Sequence, residues 1–286
     1  MLLILLCSCI SIAVSLNQLS FSGGGSFGAI EIGILKRILE SDNKKYDLYT
    51  GISAGALNSG FLSYFYDIKE GVNRVEKIYS TIKNHMIYDI LPTTGISIFN
   101  TAPLHSTLTD IVDKMKNPPA IHTLIGATNM YSGNLDVYTY EDNNDANKVL
   151  LMMSSSAIPG MFPPIEYNGN LYADGGTLSN ELLQVEHNEQ YLNITYITPG
   201  YGYVYNNEPI KSLKEMLNRT LHIVKKNFNN PLASINQDCK YPVGEINKYF
   251  VNSKYTIGFN SLDFNYGKEL INIGYLYMEH VKYTLC

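Results

Sequence analysis

The chain opens on an apolar run. Leu2 to Val14 carries no charge, only two Cys and two Ser among apolar residues, and is too short to span a bilayer. Polar positions then begin to alternate with apolar ones, and Leu16 to Ser22 reads as a short strand. Phe27, Ile30, Ile34, Leu35 and Ile38 follow at helical spacing and end near "SDN". Tyr46 to Ile52 is a second strand. Ala54 to Tyr66 is a second helix, with a face of small residues: Gly55, Ala56, Ser59 and Gly60. Strand, helix, strand, helix is the pattern of a parallel sheet with helices packed on it.

Further on, Ile121 to Thr128 is a continuous strand-like run, "YSGN" turns the chain, and Leu135 to Tyr140 returns. Val149 to Ser156 reads as a short helix stopped by Pro159-Gly160. Ile165 to Tyr167 and Asn170 to Ala173 flank an Asn-Gly pair, a hairpin signal. Tyr191 to Thr198 is β-rich. Ile210 to Phe228 is an amphipathic helix bearing Lys211, Lys214, Arg219, Lys225 and Lys226, and Ile271 to Tyr283 reads as the closing helix. Residues 66–118 and 228–254 give no clear pattern and are candidates for substrate-facing insertions. No linker is evident, so residues 16–286 are expected to form one α/β domain.

Composition narrows the class. The chain has 286 residues, 45% hydrophobic and 16% charged, as a globular protein does. A net charge of -5 without a Lys/Arg-rich tract speaks against a nucleic-acid partner. "AVS", Ala13 to Ser15, places small residues where a signal peptidase needs them, so residues 1–15 are read as a signal peptide. The expected location is then secreted or in the lumen of the secretory pathway, with membrane association as a further option. Cys7 and Cys9 would leave with the leader, and Cys239 and Cys286 would remain as two thiols able to pair. "NIT" at Asn193 and "NRT" at Asn218 would be glycan acceptors in that pathway. No CxxC or Cys/His cluster is present, so no metal site is expected.

Three short motifs carry candidate chemistry. "GISAG", Gly51 to Gly55, matches G-x-S-x-G where a strand turns sharply into a helix. Such a turn forces the Ser53 hydroxyl out at the strand end above a helix N-terminus. "SGGGSFG", Ser22 to Gly28, follows the first strand and opens the first helix, one unit before Ser53. Neighbouring parallel strands would bring both turns to one sheet edge, where the bare amides of Gly24 and Gly25 could hold an oxyanion. Gly23, Gly25 and Gly28 also fit a dinucleotide fingerprint. That reading needs an acidic residue at the end of the second strand, and Asp47 lies at its start. "YADGG", Tyr172 to Gly176, can present Asp174 on a tight turn as a proton acceptor. A Ser53, Asp174, His187 triad also satisfies the chain order of an α/β-hydrolase.

In combination, "SGGGSFGAIEIGIL", "GISAG" and "YADGG" resemble the patatin-like phospholipases. "IGATNM", "SSSAIPGMFPPI" and Asn180 add to the likeness, which runs from Leu19 to about Asn180 and more weakly through "SLDFNYGKELINIGYLY". The resemblance implies a three-layer α/β fold, with a central, mostly parallel sheet and helices on both faces. It implies a Ser–Asp dyad, with Ser53 as nucleophile and Asp174 as base, and oxyanion N–H groups from Gly24, Gly25 and Ser26. Gly23, Gly28, Gly51, Gly55, Gly175 and Gly176 are its motif glycines. It implies hydrolysis of lipid acyl esters by way of an acyl-enzyme, without metal or cofactor, on a lipid partner in a membrane or micelle interface. An inert lipid-binding relative is the non-enzymatic alternative. Two positions depart from the family: Phe27, where Lys or Arg is frequent, and Glu181, where proline often follows the asparagine. The helix Ile210 to Phe228 has an apolar stripe, Ile210, Leu213, Leu217, Leu221 and Val224, and is a candidate for docking on lipid.

Overall fold

The computed structural model describes residues 15–90, 95–115, 117–183, 191–200, 212, 216 and 244–285. Residues 1–14 of the leader, all four cysteines, His187, Asn218 and, apart from Ser212 and Met216, the Ile210–Phe228 helix lie outside the described residues.

The chain runs β1 (Ser15–Phe21), α1 (Gly28–Ser41), β2 (Leu48–Ile52), α2 (Ala54–Leu62), α3 (Ile68–Thr81), α4 (Ala102–Asp113) and β3 (His122–Asn129). It continues through β4 (Leu135–Thr139), α5 (Asp145–Ser155), β5 (Ile165–Tyr167), β6 (Asn170–Asp174), β7 (Tyr191–Ile197), β8 (Gly244–Val251), α6 (Gly267–Leu276) and β9 (Met278–Leu285). The strands form one mixed sheet in the order β5-β6-β3-β2-β1-β7-β8-β9, with β4 also paired to β3. The five strands β3, β2, β1, β7 and β8 are parallel. Antiparallel strands finish both ends: β4 and β6 against β3, β5 against β6, and β9 against β8.

The α1 stripe reads out as expected, since Ile30, Ile34, Leu35 and Ile38 are all buried. The described helices touch in a continuous series, α6 against α1, α1 against α3, α3 against α2, α2 against α5 and α5 against α4. Leu19 and Phe21 of β1 belong to the main core, together with residues of these helices. The alternate residues of β1 are polar and equally buried. Gln18 Nε2 and Ser20 Oγ donate to the Leu182 carbonyl at 3.0 and 3.2 Å, and Thr50 Oγ1 of β2 donates to the same oxygen at 2.6 Å. The segment after β6 is thereby fastened across parallel strands by their own side chains.

The unassigned stretch 66–118 resolves into α3 and α4. Asp67 caps α3 by accepting from the Lys69 N–H, and Pro103 stands in the first turn of α4. The closing helix is shorter than expected. Helix α6 ends at Leu276, and Met278–Leu285 pairs along the whole of β8 instead. An apolar residue at every third or fourth position suited a helix through 283, but the free edge of β8 offers a full backbone ladder. The new edge strand carries Glu279, His280 and Lys282, polar groups that discourage further pairing. Ser15, assigned to the leader from sequence, opens β1 opposite Tyr191, and Asn193 lies within β7, paired on both sides.

One register decides where the two motif ends meet. Gly126 of β3 pairs with Ile52 of β2 on one edge and Val137 of β4 on the other. The next residue, Ala127, pairs with Asp136 of β4 and with Asp174 of β6. Strands β2 and β6 therefore share one edge of β3 and run toward each other, stopping at adjacent rungs.

Replacing Thr50 by Val keeps the shape, removes the 2.6 Å bond and takes an acceptor from Gln18 Nε2. Stability should fall by about 1–2 kcal/mol, measured by chemical denaturation.

Candidate active site

Strand β2 is buried along its whole length and ends at Ile52. Ser53 then adopts φ 56°, ψ -122°, a backbone conformation costing a non-glycine residue about 1–3 kcal/mol. The flanking glycines make this turn possible. A Cβ on Gly51 would stand 2.1 Å from the Gly55 carbonyl oxygen, and one on Gly55 would stand 2.4 Å from that of Phe21. The turn is braced from α5: the Ser53 N–H donates to Ser155 Oγ at 2.9 Å, and Ser155 Oγ donates to the Gly126 carbonyl at 2.6 Å.

The Ser53 hydroxyl donates to Asp174 Oδ2 at 2.7 Å. Both residues are almost fully buried, at 3% and 2% exposure, so their contact is little screened by water. The second carboxylate oxygen, Oδ1, accepts from the Gly176 N–H at 2.7 Å, which leaves Oδ2 turned to the serine. The Asp174 backbone is held by Ala157 and by the Thr128 hydroxyl. Asp174 thus closes β6 in a fixed orientation, and the two glycines after it form the tight turn expected of "DGG".

The glycine loop lies against this pair. A Cβ on Gly23 would stand 2.8 Å from the Cβ of Ser53, and a Cβ on Gly28 would stand 2.9 Å from that of Ala54. Asn180 Nδ2 donates to the Gly23 carbonyl at 3.1 Å and ties the segment after Asp174 to the loop. The N–H groups of Gly24 and Gly25 take no acceptor among the described residues. Ser26 differs from expectation. Its N–H donates to the Ser261 carbonyl at 2.7 Å and its hydroxyl to the Asn260 carbonyl at 3.1 Å. This amide anchors the loop to the C-terminal part of the chain, so the loop donors without an acceptor among the described residues are those of Gly24 and Gly25. Phe27, which replaces the family's frequent cation, packs into the main core. Glu181 accepts from the Tyr196 hydroxyl at 2.8 Å, and burial raises its carboxyl above the usual carboxylate range.

Ser53 and Gly25 stand in the wall of a pocket of about 700 Å³, a volume that includes solvent at its mouth. Leu57 and Phe61 of α2, Ile78 and Ile82 of α3, and Leu104 and Leu108 of α4 form much of the wall. Its polar groups are turned to the protein: Tyr79 Oη donates to Asn58, Thr107 Oγ1 to the Met86 carbonyl, and Ser156 Oγ to the Met152 carbonyl. The cavity therefore offers apolar surface up to the serine. The four described histidines, His85, His105, His122 and His280, are all exposed, and none lines the pocket; His122 stands beside Glu141 and His280 stacks on Tyr249.

Sequence reasoning did not single out Ser155, Thr128 or the pocket residues of α3 and α4. Ile68, Val72, Val75, Tyr79 and Ile82 do carry a helical period that would have revealed α3. Ser155 is one of three consecutive serines, and nothing in the sequence distinguishes it from its neighbours.

A mixed α/β sheet with a buried serine–carboxylate pair at a strained strand–helix turn, opening on an apolar pocket, is the class of protein described. The chain belongs to the patatin-like phospholipase family, a family of lipid acyl hydrolases, whose model matches residues 19–185. It is 28% identical over 169 residues to the lysophospholipase NTE1 of Eremothecium gossypii, a match covering 57% of this chain and 10% of that protein. The chain thus spans about a tenth of the length of that curated relative. Among solved structures, VipD from Legionella pneumophila aligns over 93% of this chain and 68% of its own, at 12% identity and a TM-score of 0.44.

Gly25 has φ +59°, and a Cβ there would stand 2.2 Å from the Ser261 carbonyl oxygen that receives the Ser26 N–H. Gly25→Ala should lower stability by about 1–3 kcal/mol, read as a lower denaturation midpoint. Ser26→Ala, which keeps the backbone bond, should cost less.

Proposed function

We propose that this chain is a lipid acyl hydrolase that cleaves carboxylic esters of glycerolipids, in the manner of a phospholipase A or lysophospholipase, through Ser53 and Asp174. The observation that carries the reading is the 2.7 Å bond from Ser53 Oγ to Asp174 Oδ2 at the wall of an apolar pocket. A direct serine–carboxylate contact leaves no place for an imidazole between them, which favours the dyad over a triad through His187.

In this reading the acyl chain lies in the pocket and its ester carbonyl reaches Ser53. Ser53 Oγ attacks the carbonyl carbon while its proton passes to Asp174 Oδ2. The carbonyl oxygen becomes an oxyanion and accepts from the Gly24 and Gly25 N–H groups, backbone donors that stabilise charge with little reorganisation. The tetrahedral intermediate then collapses, and the alcohol leaves with the proton held by Asp174. Water gives a proton to Asp174 and attacks the acyl-serine, releasing the fatty acid and restoring the Ser53 hydroxyl. No step calls for a metal or cofactor. The lipid partner sits in a membrane or micelle interface, and the leader reading would place the encounter outside the cell or in a lumen.

Fatty-acid release from phosphatidylcholine, lysophosphatidylcholine, a galactolipid and a triglyceride tests the reading. Ser53→Ala and Asp174→Asn should each lower kcat by about 10⁴-fold or more, the scale for losing a member of a serine-hydrolase site. A fluorophosphonate should label wild type on Ser53. A folded wild type that releases no fatty acid and takes no label would remove the proposal, leaving the inert lipid binder.

A second expectation concerns the pocket. Ile111 of α4 is half-buried in its wall. Ile111→Trp should cut turnover of long-chain esters and leave a butyryl ester almost unaffected, as measured by the ratio of the two kcat/KM values.

A further inference from the structure

One buried ionisable group close to the site takes no part in the chemistry proposed above. Glu31 sits in the first turn of α1 at 0% exposure. Its Oε1 faces the Ser22 N–H at 3.0 Å and Ser22 Oγ at 3.1 Å. Its Oε2 accepts from Asn58 Nδ2 at 2.9 Å. Ser22 is the residue from which the glycine loop departs, and Asn58 lies on the helix that Ser53 begins. The carboxyl therefore spans the gap between the loop and the nucleophile's helix.

Such a group is costly to bury, and burial holds its carboxyl well above the usual carboxylate range despite three donors. Hydrogen-bond satisfaction explains it only in part, because both Ser22 donors and one of the two Asn58 amide hydrogens have another place to bond. The Ser22 N–H also donates to the Ile197 carbonyl at 3.1 Å. Ser22 Oγ also reaches Thr198 Oγ1 at 3.0 Å, and Asn58 Nδ2 also donates to the Gly28 carbonyl at 3.0 Å. An apolar side chain of similar size would leave both Ser22 donors paired and orphan one N–H of the Asn58 amide, whose two hydrogens now serve Gly28 and Glu31, at a modest cost in stability. What an apolar residue could not do is hold Ser22 and Asn58 at a set separation. That separation matters because Gly23, next to Ser22, packs directly on Ser53, and Gly24 and Gly25 follow at once.

We propose that Glu31 is a positioning residue: its carboxyl ties the origin of the glycine loop to the nucleophile's helix and so sets where the Gly24 and Gly25 N–H groups stand relative to Ser53 Oγ. The inference rests on the function proposed above. Tyr79 extends the tie to the pocket wall, since its hydroxyl donates to Asn58 Oδ1 at 2.9 Å. The network thus joins three parts that must move together: the loop, the serine helix and the helix against which the acyl chain would lie.

The test is Glu31→Leu, with Glu31→Gln as the conservative variant, assayed on the best ester of the lipid panel. Misplacing catalytic donors by about 1 Å costs on the order of 100-fold, so kcat of Glu31→Leu should fall by about 10- to 100-fold. Its KM should stay at the wild-type value, and its thermal midpoint should fall only by the few degrees that one orphaned Asn58 N–H costs. A long-chain trifluoromethyl ketone, which adds to Ser53 as a hemiketal oxyanion, should lose affinity by the same factor. Binding of the fatty-acid product, which needs only the pocket, should be unchanged. Glu31→Gln, which can still bridge Ser22 and Asn58, should recover part of kcat. Asn58→Ala cuts the tie from the other end and should lower kcat in the same direction; because it also frees the Tyr79 hydroxyl in the pocket wall, fatty-acid binding is read on Glu31→Leu alone.

Wild-type kcat in folded Glu31→Leu or folded Asn58→Ala would overturn the proposal. So would kcat and fatty-acid affinity of Glu31→Leu falling together, or failure of both variants to fold, since each makes the role one of stability. A wild type without turnover or Ser53 labelling fails the function reading instead, whereas an active wild type matched by Glu31→Leu fails only this one.

Discussion

The site depends on one edge of one strand. β3 accepts β2 from one direction as far as Ile52 and β6 from the other as far as Asp174, at the adjacent rungs Gly126 and Ala127. Two strands that meet head to head on a shared edge cannot both continue. β2 leaves through the Ser53 turn and β6 through the Gly175-Gly176 turn, and each departure exposes its terminal side chain to the other. Residues separated by 121 positions are thereby brought to 2.7 Å without any loop having to be ordered for the purpose. The bond is as rigid as the backbone ladders behind it. Strand-borne geometry of this kind suits a reaction in which small displacements of the reacting groups are costly.

Around that junction, polar groups are paired so that the functional atoms are held in place. Asp174 Oδ1 is taken by the Gly176 N–H and Oδ2 faces the serine. The Ser53 amide is taken by Ser155, and the Ser26 amide by Ser261, whereas those of Gly24 and Gly25 take no acceptor among the described residues. The pocket follows the same rule. Tyr79, Thr107 and Ser156 turn their hydroxyls into the protein and present carbon to the cavity. A ligand entering there meets apolar surface until it reaches the serine, the arrangement that a hydrocarbon chain ending in an ester needs.

Much of this was legible along the chain. The alternation in Leu16 to Ser22, the helical stripe through Ile38 and the hairpin around Asn168-Gly169 predicted the elements found there. Each depends on contacts within its own segment or with an adjacent one. The closing segment was misread because α6 and β9 share an apolar rhythm, and the choice between them rests with β8, some 30 residues away. Helix α3 was passed over for a different reason. Its charged residues mask a sound helical period, and its apolar face found its role only in packing against α1 and α2.

The site divides along the same line. Glycines and a serine at G-x-S-x-G specify a sharp turn locally, because any side chain at Gly51 or Gly55 would strike backbone only a few residues away or on the next strand. The glycine loop and the Asp-Gly-Gly turn are equally local, so all three motifs could be read in order from sequence and their likeness to a family recognised. The pairing of Ser53 with Asp174, the commitment of the Ser26 amide to Ser261, the brace from Ser155 and the position of Glu31 could not. Each is a contact between distant segments, whose partner is chosen by strand register and helix packing rather than by any neighbour in the chain.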